Sequence, residues 1–535
     1  MTQAATFPAG ATRPSAAPSR TADGAPVNKW LVAIAVALGA LLEVVDTSIV
    51  NVALNEMQNS LGATLSQVSW VVSSYAVANV IILPLTAWLG DRFGKKRYFV
   101  FSLIAFTMAS VMCGVATTLP MLIVARVLQG LGGGGLMAKA QSILFETFPR
   151  EEQALAQGFF GAIVIAGPAI GPTLGGYIVT NMNWRWIFFV NVPVGIAGTL
   201  LCLAVLPVDK VKTGAKGAID WLAISLLAVG LGSLQTVLEE GQSDDWFTSP
   251  FIVTFSVFAV AGLSLFIWRT WYSEDPVVDL RILRYRSMWS GSILSVIIGM
   301  GLYGALFSVP IFAQGVLHYT SQQTGMLLLP GALASAGGMV VASILVRRFD
   351  PRVLIVAGAL VIVSSLLMLT RITPQTGADD LFWPLIIRSF GTVLMFLPLN
   401  MATLGPVPKK DIAAATGFFS LTRQLGGSVG VAILTTVLAQ REAFHRTVIV
   451  EKLPYADPKV LERMSTLTSG FARSADIATA HDQALRVLDG SVNVQAAVIS
   501  FADTFWLTSI LFLVTLPLVL LLGKPPAGAK VSAGH

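Results

Sequence analysis

Fourteen apolar runs, each near the length that crosses a bilayer, divide this 535-residue chain. They lie at roughly 30–54, 67–89, 98–117, 120–145, 154–179, 186–206, 220–239, 250–270, 290–314, 323–346, 352–371, 381–404, 413–439 and 502–522. A hydrocarbon core takes about 20 residues of α-helix. Strands of a membrane barrel would show alternating segments of about ten residues instead, and the sequence has none. With no water to satisfy backbone N–H and C=O groups, these runs must be helices. Charge agrees, because only 12% of residues are Asp, Glu, Lys or Arg, against about 25% in soluble domains. The expected fold is all-α and integral to the membrane, with 14 transmembrane helices.

The loops between runs carry an orientation signal. Even-numbered short loops hold Arg92, Lys95, Lys96, Arg97, Arg150, Lys210, Lys212, Lys216, Arg269, Arg281, Arg284, Arg286, Arg347, Arg348, Arg352, Lys409 and Lys410, whereas odd-numbered ones hold only Arg185 and Arg371. By the positive-inside rule both termini are expected in the cytoplasm. Residues 1–28, rich in Ala, Pro, Ser and Thr, read as a disordered cytoplasmic tail, and 524–535 as a second one. The first run lacks a small-residue cleavage site and reads as a retained helix. Loop 440–501 mixes both signs and is expected to be an external segment with some helical character. Cys113 and Cys202 sit in apolar runs, so neither a disulfide framework nor a zinc site is expected. The formal charge of +6 is modest and most of the cations lie in short loops, which argues against a nucleic-acid partner and for contact with membrane lipid.

The chain also repeats itself. At an offset of 259, Pro149 meets Pro408, Gly158-Phe159-Phe160 meets Gly417-Phe418-Phe419, Gly167 meets Gly426 and Gly171 meets Gly430. LGDRFGKK at 89–96 is echoed by LVRRFDPR at 345–352, at an offset of 256. The copies fall on helices 5 and 13, eight apart, so they cross the membrane in the same direction. A 6+2+6 plan explains the count: an N-terminal six-helix bundle at 29–208, inserted helices 7 and 8 with their connectors at 209–286, and a C-terminal bundle at 287–523. Parallel repeats of this kind place a substrate site at the midplane between halves.

Four motifs carry the chemistry. The second loop, Gly90, Asp91, Arg92, Gly94, Lys95, Lys96 and Arg97, combines turn-permitting glycines, an acid able to cap or pair, and inside-holding cations. Helix 4 holds Arg126, Gln129, Gly130 and Gly133 on one face. An arginine in hydrocarbon is a functional candidate by default. Gly130, Gly132 and Gly135 match G-x-G-x-x-G, but no strand precedes them, and no phosphate loop exists anywhere, so nucleotide is excluded as the energy source. Helix 5 places Gly158, Gly167, Gly171, Pro172, Gly175 and Gly176 in the pattern G-x8-G-x3-G-P-x2-G-G, a kinkable helix that neighbours can approach closely. Helix 1 carries Glu43 and Asp46 one turn apart. Two acids so close in a low dielectric do not both ionise readily, which leaves an exchangeable proton. At 1.5 Å per residue, Asp46 and Arg126 lie about 12 and 9 Å from the outer surface and can meet. Gln129 and Asn51, with Arg388 and Arg423 of the second half, are the candidate cavity residues. Trp70, Tyr75, Phe307 and Phe396 are weaker candidates for the cavity, and Lys139, on another face of helix 4, has no role in this reading.

These motifs resemble those of the major facilitator superfamily. The glycine pattern of helix 5 is similar to the antiporter motif of drug exporters, and EVVDTSIVNVALN (43–55) to the first-helix motif of fourteen-helix exporters, with Asn55 and Ser48 replacing the usual proline and threonine. Nearly the whole chain resembles the EmrB/QacA group of drug:proton antiporters, with 232–249 and 416–430 nearer its EmrB-like multidrug exporters. The resemblance implies a proton-driven multidrug efflux antiporter in the inner membrane of a Gram-negative cell, exporting small amphipathic compounds. It further implies a periplasmic membrane-fusion adaptor and an outer-membrane channel as partners. No cofactor is expected beyond the proton as coupling ion. A proton-coupled uptake carrier for a metabolite is the alternative, disfavoured by the complete helix 5 motif. An enzyme is disfavoured because His318, His445, His481 and His535 lie in loops or at the terminus without forming a cluster.

Overall fold

A computed structural model describes residues 28–207, 219–274, 276–454, 457–474 and 476–523. Nearly all of both expected tails (1–27 and 524–535) and the loop cations Lys210, Lys212 and Lys216 lie outside the described residues. Fourteen helices are long and apolar enough to cross a membrane: α1 Lys29–Leu61, α2 Ser66–Phe93, α3 Lys95–Gly114, α4 Leu119–Thr147, α5 Arg150–Asn181, α6 Trp186–Val205, α7 Trp221–Glu240, α8 Pro250–Tyr272, α9 Arg286–Gly315, α10 Ser321–Arg348, α11 Pro351–Leu369, α12 Ala378–Leu404, α13 Ile412–Glu451 and α14 Ile477–Leu521. No strand occurs among the described residues.

Helix starts are written locally. Asn28 caps α1 through the Trp30 N–H. Capping boxes built on Thr64 with Gln67 and on Thr320 with Gln323 satisfy the first free N–H groups ahead of α2 and α10. The second loop collapses to a single residue, Gly94, at φ 96°, where a side chain would be strained. Asp91 is exposed there, Arg92 lies 5.4 Å from the Trp88 ring, and Lys96 donates to the last carbonyls of the α6 segment, Leu203 and Leu206, at 2.7 and 2.9 Å.

The helix pairings recur eight helices on. α1 packs on α5 and α6, α2 on α4, and α3 on α4 and α6; likewise α9 packs on α13 and α14, α10 on α12, and α11 on α12 and α14. α7 and α8 form a pair, and α7 lies against α2 and α13. The two series meet where α5 runs along α10, and where the even-loop ends of α2 and α4 rest on α13.

The helix 5 glycines divide between two neighbours. A Cβ at Gly167 or Gly175 would come within 2.6 Å of Val44 or Val52 on α1, and one at Gly171 would strike the Ser48 hydroxyl. Gly158 and Gly176 instead face α10, with Ser343 and Gln322 at 3.0 and 2.8 Å from such a Cβ. Pro172, next to Gly171 within the α1-facing series, cannot donate to the turn before it. The repeat copy does the same: Gly426 and Gly430 abut Val296 and Met300 of α9, and Gly417 abuts Thr86 of α2.

The segment 440–501, expected to be external with some helical character, is almost wholly helical. α13 runs unbroken for 40 residues and α14 for 45, about 60 Å or more each, twice the thickness of a hydrocarbon core. A helix at Pro458–Phe471, N-capped by Asp457, closes the tip. Val460, Met464 and Ala484 form a small core there, and Arg441 and His445 hold Asp503 at 2.6 and 2.8 Å. His445 and His481 therefore stand on helices rather than in loops.

Candidate functional site

Asp46 is fully enclosed, and its carboxylate collects three donors from two other helices. Arg126 Nη1 of α4 lies 2.6 Å from Oδ2; Gln129 Nε2 of α4 and Asn191 Nδ2 of α6 donate to Oδ1, each at 2.9 Å. Arg126 donates through Nε to the Val71 carbonyl of α2 at 2.9 Å and through Nη1 to Gln129 Oε1 at 2.7 Å. Its guanidinium lies 4.2 Å from the Tyr75 ring and 5.8 Å from that of Phe188. Asn191 also reaches Ser110 of α3 at 3.1 Å. Removing one partner of such a buried pair leaves an uncompensated charge, at about 3–5 kcal/mol.

Glu43, one turn along α1, occupies a separate pocket. Asn79 Nδ2 of α2 donates to its Oε1 at 2.9 Å and the Met137 N–H of α4 to its Oε2 at 2.7 Å. Lys139 is buried within coulombic range of Glu43; its Nζ donates to Ser102 Oγ at 2.7 Å and sits 3.6 Å from the Tyr98 ring centroid. Tyr303 of α9 lies within coulombic range of both Glu43 and Arg423.

The structure thus brings together Asp46, Arg126 and Gln129, with the Tyr75 ring against the guanidinium. Gln129 lines no open cavity, because it is fully enclosed between Asp46 and Arg126. Asn51 is exposed, donating to its own helix at the Thr47 carbonyl, 3.3 Å away. Arg423 is buried with its guanidinium 5.0 Å from Phe396 and 5.6 Å from Phe419, and Arg388 is buried on α12. Of the aromatic candidates, Tyr75 is enclosed under Arg126, Trp70 packs edge-on to Phe251 of α8, and Phe307 is exposed. Asn191 and Lys139 are the residues that sequence reasoning passed over. The signal for Asn191 was a lone amide inside the apolar run 186–206; the signal for Lys139 was a cation deep inside a span.

The arrangement can hold a carboxylate charge in a low dielectric while its cation and amides remain attached, and it can free those donors when that carboxylate is neutralised. Such chemistry moves charge without breaking covalent bonds. Sequence comparison decides the family: the profile of the Major Facilitator Superfamily matches residues 36–431. The chain belongs to the major facilitator superfamily. Among its relatives, Multidrug export protein EmrB of Escherichia coli K12 is 33% identical over 94% of this chain and 97% of the relative. Fatty acid resistance protein FarB of Neisseria gonorrhoeae is 33% identical over 92% and 96%, and Colistin resistance protein EmrB of Acinetobacter baumannii 28% over 91% and 94%. Among solved structures, the human organic anion transporter MFSD10 superposes with a TM-score of 0.57 over 90% of this chain and 99% of that one, at 13% identity, a likeness of fold. This major facilitator protein is a multi-pass membrane transporter, not an enzyme.

Proposed function

We propose that this chain is a multidrug efflux antiporter that exports small amphipathic compounds in exchange for protons by alternating access. The observation that carries the reading is the enclosed Asp46–Arg126 pair, a titratable carboxylate built into the first helix and tied to α4 and α6. Relatives whose names state multidrug export support the drug side. In this scheme a proton arriving at Asp46 cancels its charge and weakens its grip on Arg126, Gln129 and Asn191. The freed donors then change how α1 is held against α4 and α6, and α1 is the helix on which Gly167, Gly171 and Gly175 of α5 rest.

The recurring helix pairings support two six-helix halves with α7 and α8 inserted between them. The cation-rich even loops support an inner-membrane protein with both termini in the cytoplasm. The resemblance to EmrB-like exporters, and a helical hairpin long enough to stand well clear of the bilayer on the opposite side, support a periplasmic membrane-fusion adaptor and an outer-membrane channel as partners. Everted vesicles test the energetics: probe accumulation is expected to collapse on adding an uncoupler while ATP is maintained. Accumulation that persists without a proton gradient would overturn the antiport reading.

A further inference from the structure

Lys139 sits between the core acids and the even-loop face, on a polar stripe that the Asp46 scheme leaves unused. Lys139, Ser142 and Glu146 occupy positions i, i+3 and i+7 of α4 and so share one face. Above Lys139 lies Glu43, anchored by the Met137 N–H two residues away. Below it, Ser142 donates to Glu146 Oε1 at 3.5 Å, and Lys95 Nζ of the second loop reaches the same oxygen at 2.5 Å. Exposure rises along the series: Glu43 and Lys139 are each 7% exposed, the Glu146 side chain 24% and that of Lys95 42%. A cavity of ≈ 30 Å³ lined by Lys139, Ser142, Tyr98, Lys95, Gly90 and Thr416 adjoins the middle of the stripe, enough for about two waters. The charged and titratable groups around Lys139 are Glu43 from α1, Tyr98 and Lys95 from α3, and Glu146 from its own helix; α2 and α13 contribute uncharged lining.

We propose that Lys139 is the relay through which the coupling proton leaves the core acids for the cytoplasm, a role resting on the proton-antiport reading above. The Lys139 ammonium gives one proton through cavity water and the Ser142 hydroxyl to the Glu146 carboxylate, and the electron pair of the broken N–H bond stays on nitrogen. The amine then takes the proton of the Glu43 carboxyl through a bridging water, since the two side chains are not in direct contact, leaving the carboxylate. Glu146 releases its proton to bulk water beside Lys95. One proton has crossed, and no group is oxidised or reduced. A lysine held only as a counter-charge to Glu43 would need none of this path, and that difference decides the experiment. Lysine can lose its proton inside a protein; a guanidinium keeps its own.

The test uses purified full-length protein, with ethidium and dodecanoate as probes, reading both probe binding and probe-induced proton release by a pH dye. Lys139→Arg and Lys139→Met are both expected to slow release about tenfold or more, with probe binding retained. Glu146→Gln, on a partly exposed site where folding is not at risk, is expected to slow it about threefold. Wild-type release from Lys139→Arg would make the residue a fixed counter-charge and overturn the relay alone. If both Lys139 variants lose binding as well, Glu146→Gln decides: slowed release supports the relay and unchanged release overturns it. Absence of release from the wild-type protein would overturn the antiport reading, and the relay with it.

Discussion

The Asp46 carboxylate and the Arg126 guanidinium illustrate how one buried charge commits its neighbours. Asp46→Asn leaves Arg126 without its counter-ion and is expected to destabilise the protein by about 3 kcal/mol. Arg126→Gln added to it should return part of that loss, so that a double-mutant cycle in detergent unfolding gives a coupling of about 2 kcal/mol. Additive losses would mean that the pair is not energetically linked. Efflux is expected to vanish in Asp46→Asn, while Glu43→Gln, whose acid sits in its own pocket, should weaken it less; undiminished proton release from Asp46→Asn with loss in Glu43→Gln would reverse their roles. Helical depth was enough to bring Asp46 and Arg126 together from sequence, because both lie on unbroken helices of fixed rise. Gln129 was misplaced for the opposite reason. Its helical face is set by periodicity, but whether that face meets a cavity or a carboxylate depends on α1 and α6, which periodicity does not report.

Helices meet by what they omit as much as by what they present. A side chain at Gly171 overlaps the Ser48 hydroxyl, so Gly171→Leu should abolish efflux while the protein still inserts, whereas Gly337→Ala on α10, with nothing within 4 Å of a Cβ, should export normally. Normal export from Gly171→Leu would refute the packing account of the motif. At the even-loop side, Asp220 caps α7 through the Ala223 N–H and also binds Arg269 of α8. Partial burial pushes its carboxyl up, but the Arg269 hydrogen bond and charge, together with the Ala223 and Leu222 N–H groups, outweigh this and hold it below the usual carboxylate range. A depressed folded value means that the contribution is present above the unfolded pKa of about 4 and fades as pH falls through the folded one. Asp220→Ala should therefore cost about 1 kcal/mol at pH 7, largely as a lost cap, and less in strong acid. The helix count was legible because apolar runs of bilayer length have few alternative structures. The ends of α13 and α14 were not, because outside the membrane a helix needs only a stripe of apolar residues, and Val460, Met464 and Ala484 are too sparse to stand out.

At the scale of the whole molecule, the repeat was readable from glycines because backbone contact tolerates no substitute. Gly167 and Gly171 meet α1 as Gly426 and Gly430 meet α9, so the offset of 259 in the sequence reappears as a matching pair of helix contacts. What no offset reveals is that α13 carries two duties along one uninterrupted helix. It bears Arg423 and Gly426 within the membrane and then continues to Glu451 outside it. Such a rod behaves as a lever whose fulcrum is the bilayer. With an outer arm of about 20 Å, a tilt of about 15° swings the far end by about 5 Å, without any hinge between Arg423 and the tip. Spin labels at Lys452 and at a fixed point on α6 should therefore report a distance change of about that size between substrate-free and substrate-bound protein. An invariant distance would show that the arm does not follow the membrane portion. If it does follow, a protein gripping the hairpin from outside would sense each turnover as displacement, and stiffening that grip would brake the cycle from a distance.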